Sequence, residues 1–107
     1  AAVSALIALL GSKAVSDIRF LLDDEDVWVR YHTITSIGEL ADSQFVSYVI
    51  PYLEDDQDII KIAAAKALAQ MGGREAVPHL EKLVKDKNPD LVDAARLALQ
   101  RIGSTTP

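Results

Sequence analysis

Apolar residues recur along this chain at the spacing of helix faces, and whole faces recur every 31 residues. Val29, Ile60 and Leu91 keep that interval, as do Ile37, Leu68 and Leu99, and Leu40, Met71 and Ile102. Val15, Val46 and Val77 set a second series, with Ile18, Val49 and Leu80 three residues on. Asp24, Asp55 and Asp86 mark the same place in successive units. A period of this length is the mark of stacked helical units, each too small to bury its own apolar face alone.

The third unit shows how a unit is built. Ile60, Ala64, Ala67, Leu68 and Met71 fall at the i, i+4, i+7, i+8, i+11 spacing of one helix face. Gly72-Gly73 makes a corner, and Ala76, Val77, Leu80, Leu83 and Val84 form a second face. Each unit is therefore an antiparallel helix pair, A then B. The pattern predicts A helices near 1–10, 27–40, 58–71 and 90–102, and B helices near 14–23, 44–54 and 75–85. The fold class is all-α: an α-solenoid of about seven helices. Its units are a partial repeat 1–24, repeats 25–55 and 56–86, a partial repeat 87–103 and a tail 104–107.

Local chemistry agrees with these boundaries. Asn88-Pro89 is a helix start, since Asn accepts from free N–H groups and Pro suits the first turn. Asp26 can cap the second A helix. Gly11, Gly72 and Gly103 supply permissive backbone at the end of an A helix, whereas the second unit has Ala41-Asp42 there, a weaker stop. Pro51 lies inside a B helix and should kink its last turn, while Pro78 sits harmlessly in a first turn. No strand pattern competes.

The third unit, from Asp55 to Asp86, resembles the short HEAT-like repeat first named for phycobilin lyases. The resemblance rests on an acidic turn, a Val-Arg-type pair, small residues in helix A, a Gly corner and an A-V-P-x-L second helix. Val29-Arg30 and Ile60-Lys61 match the pair, and Leu91-Val92 departs from it. The family resemblance implies a solenoid whose B helices line the concave side. For function it implies several classes: bilin lyases, iron-dependent hydroxylases, DNA-repair enzymes and scaffold proteins. Fold alone does not choose among them.

Composition narrows the choice. The formal charge is −5 and the pI near 4.8, so the overall field repels phosphate and nucleic acid is not the expected partner. There are no cysteines, which removes disulfides, thiolate catalysis and Cys-ligated metals and fits a cytoplasmic location. The apolar stretch Ala1–Leu10 is too short to span a bilayer, so no membrane partner is expected. The chain starts without Met, partway through a repeat, and reads as an excerpt of a longer protein. Neither end looks like a polar cap. Leu91, Ala95, Leu99 and Ile102 should be only partly covered, which calls for further repeats in the parent or a homodimer through the uncovered terminal repeats.

Catalytic patterns are missing. No G-x-S-x-G elbow, P-loop or G-x-G-x-x-G occurs. The resemblance to iron hydroxylases would require His-Glu pairs as ligands, but His32 precedes Thr33 and His79 precedes Leu80. The expectation is no enzyme, no catalytic residue, no metal and no cofactor. His32, equivalent to Ala63 and Ala94, is expected on a packed A-helix face. Ala64, Ala67, Ala95 and Ala98, with Thr33 and Ser36, are expected where helices approach closely. Asp24, Asp55 and Asp86 are expected to cap A-helix N-termini, with a basic partner or a weak cation as the functional alternative. Arg30 and Lys61 should pair with the acidic turns of adjacent units as a ladder. Trp28 and Tyr31 are expected to pack between repeats.

The candidate binding surface is the outward stripe of the B helices. It carries Phe20, Tyr48, His79 and Lys82, flanked by Ile50. Large apolar groups ringed by charge at solvated positions are what a protein-binding hot spot needs. The leading expectation is a protein–protein interaction or scaffold module presenting this face to a protein partner. The alternatives are a bilin lyase or chromophore-handling factor, implied by the family alone, and a purely structural spacer.

Overall fold

The computed structural model describes residues 14–104. Six α-helices lie within them: α1 Ala14–Leu22, α2 Val27–Leu40, α3 Val46–Val49, α4 Asp58–Met71, α5 Val77–Leu83 and α6 Pro89–Ser104. Short 3-10 turns at Ser43–Phe45, Ile50–Glu54 and Arg74–Ala76 complete the B segments. The A helix expected near 1–10, with its Gly11 stop, lies outside the described residues.

The A helices α2, α4 and α6 pack side by side as one layer, and the B segments form a second. The molecule is 19 Å thick, which two layers of helices about 10 Å across account for. Its core is a ribbon between the layers. Ile18, Val49 and Leu80 are one buried column, Leu22 and Leu53 a second, Ile37 and Leu68 a third, and Ile60 and Leu91 a fourth. Each such side chain contributes about 1.5–3 kcal/mol when taken out of water. The array is thus an all-α solenoid.

Helix ends follow side-chain chemistry, one step displaced from expectation. Asp24, Asp55 and Asp86 do not cap the A helices. Each accepts from the backbone N–H two residues on, at Asp26, Gln57 and Asn88, over 2.8–2.9 Å. Those three residues are the N-caps or their equivalents. Asp26 accepts from the Trp28 N–H at 2.9 Å, and Asn88 from the Asp90 N–H at 2.9 Å. Gln57 makes no such bond, because its longer side chain does not fold back onto the helix start. At the far ends, Gly72 takes φ 73° and Ala41 takes φ 52° in the same left-handed place. Gly103 remains inside α6, which runs to Ser104, two residues further than the pattern predicted.

Proline reshapes the second B segment. One helix over 44–54 was expected, with a kink near its end. Instead α3 stops at Val49 and the chain tightens into a 3-10 turn from Ile50. Pro51 has no N–H to give Ser47, and its ring crowds that carbonyl.

The acidic turns tie units together unequally. Arg30 Nη1 donates to the carbonyls of Asp24 (2.8 Å) and Glu25 (3.2 Å) in the turn before its helix, and Nη2 stands 3.5 Å from Asp55 in the next acidic turn. Lys61 instead pairs with Asp58 of its own turn at 3.6 Å. The expected ladder is therefore one rung, since an ammonium has no fork to span two turns. Two further bonds cross units: Tyr52 Oη to Asp23 at 2.7 Å and Asn88 Nδ2 to Asp58 at 2.8 Å.

The small residues behave as expected. Ala64, Ala67, Ala95, Ala98, Thr33 and Ser36 are all buried. The closest approach is at Gly38, where an added β-carbon would meet the Ala67 Cα at 2.8 Å. The open end is better covered than expected. Leu91, Ala95 and Ile102 are fully buried under α4 and α5, and only Leu99 is half-buried.

Candidate functional site

Two clefts are walled in part by the B segments. The first lies between α1 and the second B segment. Its volume is ≈ 250 Å³, and Arg19, Leu22, Asp23, Ser47, Tyr48, Pro51 and Tyr52 line it. Here Ile18 and Leu22 anchor α1 in the core, which turns Arg19 and Phe20 outward. The Arg19 guanidinium lies 5.1 Å from the centre of the Tyr48 ring, a cation–π contact that fixes both groups. Tyr48 in turn leans on buried Phe45, ring centres 6.1 Å apart. Phe20 follows Arg19 in α1 but does not line the cleft; it is 79% exposed, the most open large apolar side chain among the described residues.

The second cleft lies between α5 and α6. It measures ≈ 550 Å³ and is lined by Glu81, Lys82, Val84, Lys85 and Leu99. The five expected site residues are thus divided. Tyr48 lines the first cleft and Lys82 the second, while Phe20 stands open on α1 and lines neither. Ile50 is half-buried against the core at the start of the 3-10 turn. His79 is half-buried too, and its Nδ1 is enclosed with no hydrogen-bond partner, so it is not the solvated stripe residue expected.

Pattern reading missed Arg19, Asp23 and Tyr52. The signal for Tyr52 was present: it replaces Leu21 and Leu83 of the other units, and a phenol at a core-edge position needs a partner. Burial first, then the hydrogen bond to Asp23, hold its proton well above the usual tyrosine range. The phenol is therefore a fixed donor in the wall of the cleft. Asp42 and Asp58 are lowered from the ordinary carboxylate value, through bonds from the Gln44 backbone and the Asn88 side chain respectively. Both are exposed and outside the clefts.

A third depression, ≈ 450 Å³, runs between α2 and α4 on the A-helix side, with Tyr31, Ile59, Ile62 and Lys66 in its walls. Trp28 was expected to pack between repeats. It is 55% exposed, and its ring contact is with Tyr31 of its own helix, 5.9 Å away and edge-on. His32 was expected on a packed face and is exposed, edge-on to the other side of Tyr31 at 5.4 Å. Both lie at the solvated rim of α2, because Thr33, Ile34 and Ile37 take its buried face. Among the described residues no three His, Cys, Asp or Glu side chains converge as a metal site would require, and no helix is long and apolar enough to cross a membrane.

Residues 18–100 match the family model of HEAT repeats. The chain belongs to the HEAT-repeat family. Among curated proteins, this HEAT array is 27% identical over 101 residues to the uncharacterized phycocyanin operon protein Z of Pseudanabaena tenuis, covering 87% of this chain and 50% of that protein. It is 29% identical over 93 residues to deoxyhypusine hydroxylase of Candida albicans, covering 84% of this chain and 29% of the enzyme. The Drosophila melanogaster deoxyhypusine hydroxylase is 22% identical over 94 residues, with 86% and 31% covered. The HEAT array thus spans half of the first relative and about three-tenths of the other two.

Proposed function

We propose that this HEAT array is a non-enzymatic interaction module that holds a protein partner on its B-helix face, centred on Phe20 and Tyr48. The observation that carries the reading is Phe20 at 79% exposure, one residue along α1 from the Arg19 that covers Tyr48. A large ring held open on a helix that also carries a guanidinium oriented over an aromatic is the composition of an interface hot spot. The two-layer stack supplies shape without rearrangement, so little ordering is required on binding. The sequence contains no His-Glu pair, which separates it from the ligand pattern implied for hydroxylase relatives.

The test is affinity capture from native lysate with immobilised chain, against a Phe20→Ala variant and a Trp28→Ala control on the opposite layer. Loss of a retained partner with Phe20→Ala alone, at unchanged helicity, is the expected result. Equal retention by all three proteins would remove the B face as the site.

A second reading has a specific observation behind it: the match to a protein of a phycocyanin operon. In that reading the aromatic cleft handles a chromophore. Incubation with free bilin and a shifted absorption band, lost in Tyr48→Ala, would favour it over the protein partner. A purely structural spacer predicts neither result.

A further inference from the structure

The seam between α2 and α4 carries the depression of ≈ 450 Å³ on the A-helix side. Its floor includes Ala63 and Ala67, both buried, and its apolar walls are Tyr31 on one helix and Ile59 and Ile62 on the other. The repeat does not require these walls to be apolar. One unit on, Ile59 and Ile62 become Asp90 and Asp93, both exposed on α6. Ile59 is itself exposed, so its side chain adds little to the core. Trp28 holds the place of Ile59 one unit earlier; it too is exposed and stands edge-on to Tyr31. Apolar groups left open where the repeat accepts carboxylates mark a surface that is covered in use.

Charge indicates what covers it. Both α2 and α4 start from acidic turns, at residues 23–26 and 54–58, and Arg30 reaches from the start of α2 to Asp55. The two turns are therefore neighbours at one end of the seam. They hold eight carboxylates, and two cations pair with them: Arg30 with Asp55 and Lys61 with Asp58. The two helix dipoles offset about one further charge. Glu25, Glu54 and Asp56 are exposed and form no ion pair among the described residues. Further along the groove, toward the helix C-termini, the single charges of Glu39 and Lys66 cancel. The field thus falls from strongly negative to near neutral along the seam.

We propose that the α2–α4 groove is a second docking surface, on the A-helix layer, for a cationic segment of a protein partner. Its lysines or arginines lie at the acidic turns, and a neighbouring apolar side chain enters between Tyr31 and Ile59 over the alanine floor. This goes beyond the B-face reading and does not depend on Phe20. The cations orient and speed the encounter, and the apolar anchor holds the segment in place. An acidic segment is repelled at the turns, and a cationic one without the anchor leaves the groove empty.

The probe is a fluorescein-labelled peptide of lysines followed by leucines, titrated with the whole chain and read by anisotropy. Two controls replace its leucines with glycines or its lysines with glutamates. The lysine–leucine peptide should bind and weaken as salt is raised. The lysine–glycine peptide should bind about tenfold more weakly, and the glutamate–leucine peptide not at all. Ile59→Asp is the deciding variant. Unit four carries Asp90 at that place, so the helix accepts the change, and the variant gains a negative charge. A segment anchored in the groove binds it about tenfold more weakly. A merely electrostatic contact binds it more tightly, and that result overturns the proposal. Asp56→Asn should lower affinity by about two- to threefold, the reach of one exposed charge pair. Phe20→Ala should leave it unchanged. Loss of binding in Phe20→Ala would move the segment to the B face and overturn the groove as its site. Failure of the lysine–leucine peptide to bind at up to about 1 mM would overturn it too, and leave the Phe20 reading standing.

Discussion

The phenol of Tyr52 donates to Asp23 Oδ1 over 2.7 Å, across the seam between the first two units. A position that is leucine in the neighbouring units thereby becomes a polar clasp at the rim of the core. Tyr52→Phe should lower stability by about 1 kcal/mol, the usual net worth of one intramolecular hydrogen bond. The pH dependence has a definite sign. The folded-state proton on Tyr52 is held above its ordinary value of 10.0, so the native state binds it more tightly than the unfolded chain. That stabilisation is complete below pH 10 and is lost as pH rises beyond it. Urea titrations at pH 8 and 11 should show a loss in the native chain that is smaller in Tyr52→Phe.

Asn88 works at both ends of its side chain. Oδ1 caps α6 through the Asp90 N–H, and Nδ2 donates to Asp58 of the preceding unit. Asn88→Ala should cost about 1 kcal/mol through the cap alone. The carboxyl of Asp58 lies below its ordinary 3.8, first because of the Asn88 bond. Its contribution is present above that value and disappears as pH falls through the folded-state value. Acid unfolding followed by circular dichroism should begin at higher pH in Asn88→Ala than in the native chain.

Ala41 occupies the left-handed place that Gly72 fills one unit later, at φ 52°. A Cβ there costs about 1–2 kcal/mol, and glycine returns part of this as unfolded-state entropy of about 0.5–1 kcal/mol. Ala41→Gly should therefore raise the urea midpoint by a net gain near 0.5–1 kcal/mol with an unchanged slope. A lower midpoint would mean that the corner is not strained.

Gly38 lets α2 and α4 touch. An added β-carbon would lie 2.8 Å from the Ala67 Cα and 2.9 Å from its Cβ, and that backbone cannot move aside cheaply. Gly38→Ala improves helix propensity by about 1 kcal/mol. Overpacking costs about 1–3 kcal/mol. The expected outcome is a lower melting temperature despite the better helix former. A rise would show that the helices part without penalty.

The candidate surface was half legible. Phe20 could be placed on the outward stripe because its neighbours Ile18 and Leu22 carry the core period. Arg19 could not be paired with Tyr48, since the two belong to different units and nothing local relates them. Ile50 and His79 are half-buried, as Tyr48 is, so the stripe is less open than the spacing alone suggests.

By itself the sequence determined the solenoid. A 31-residue period of apolar, small and acidic positions has one physical solution, stacked helix pairs that bury each other's faces. It also carried the caps at Asp26 and Asn88, because a cap is local to a few residues, while Asp24, Asp55 and Asp86 fall one step before the cap. Only the tertiary structure decided the contacts between helices far apart in sequence: the Tyr52–Asp23 clasp, the Arg30–Asp55 rung between acidic turns, the contact of Gly38 with Ala67 and the two clefts beside the B segments. These depend on how far one unit is rotated and shifted against the next. That offset is set by the fit of many side chains at once, and no single stretch of sequence contains it.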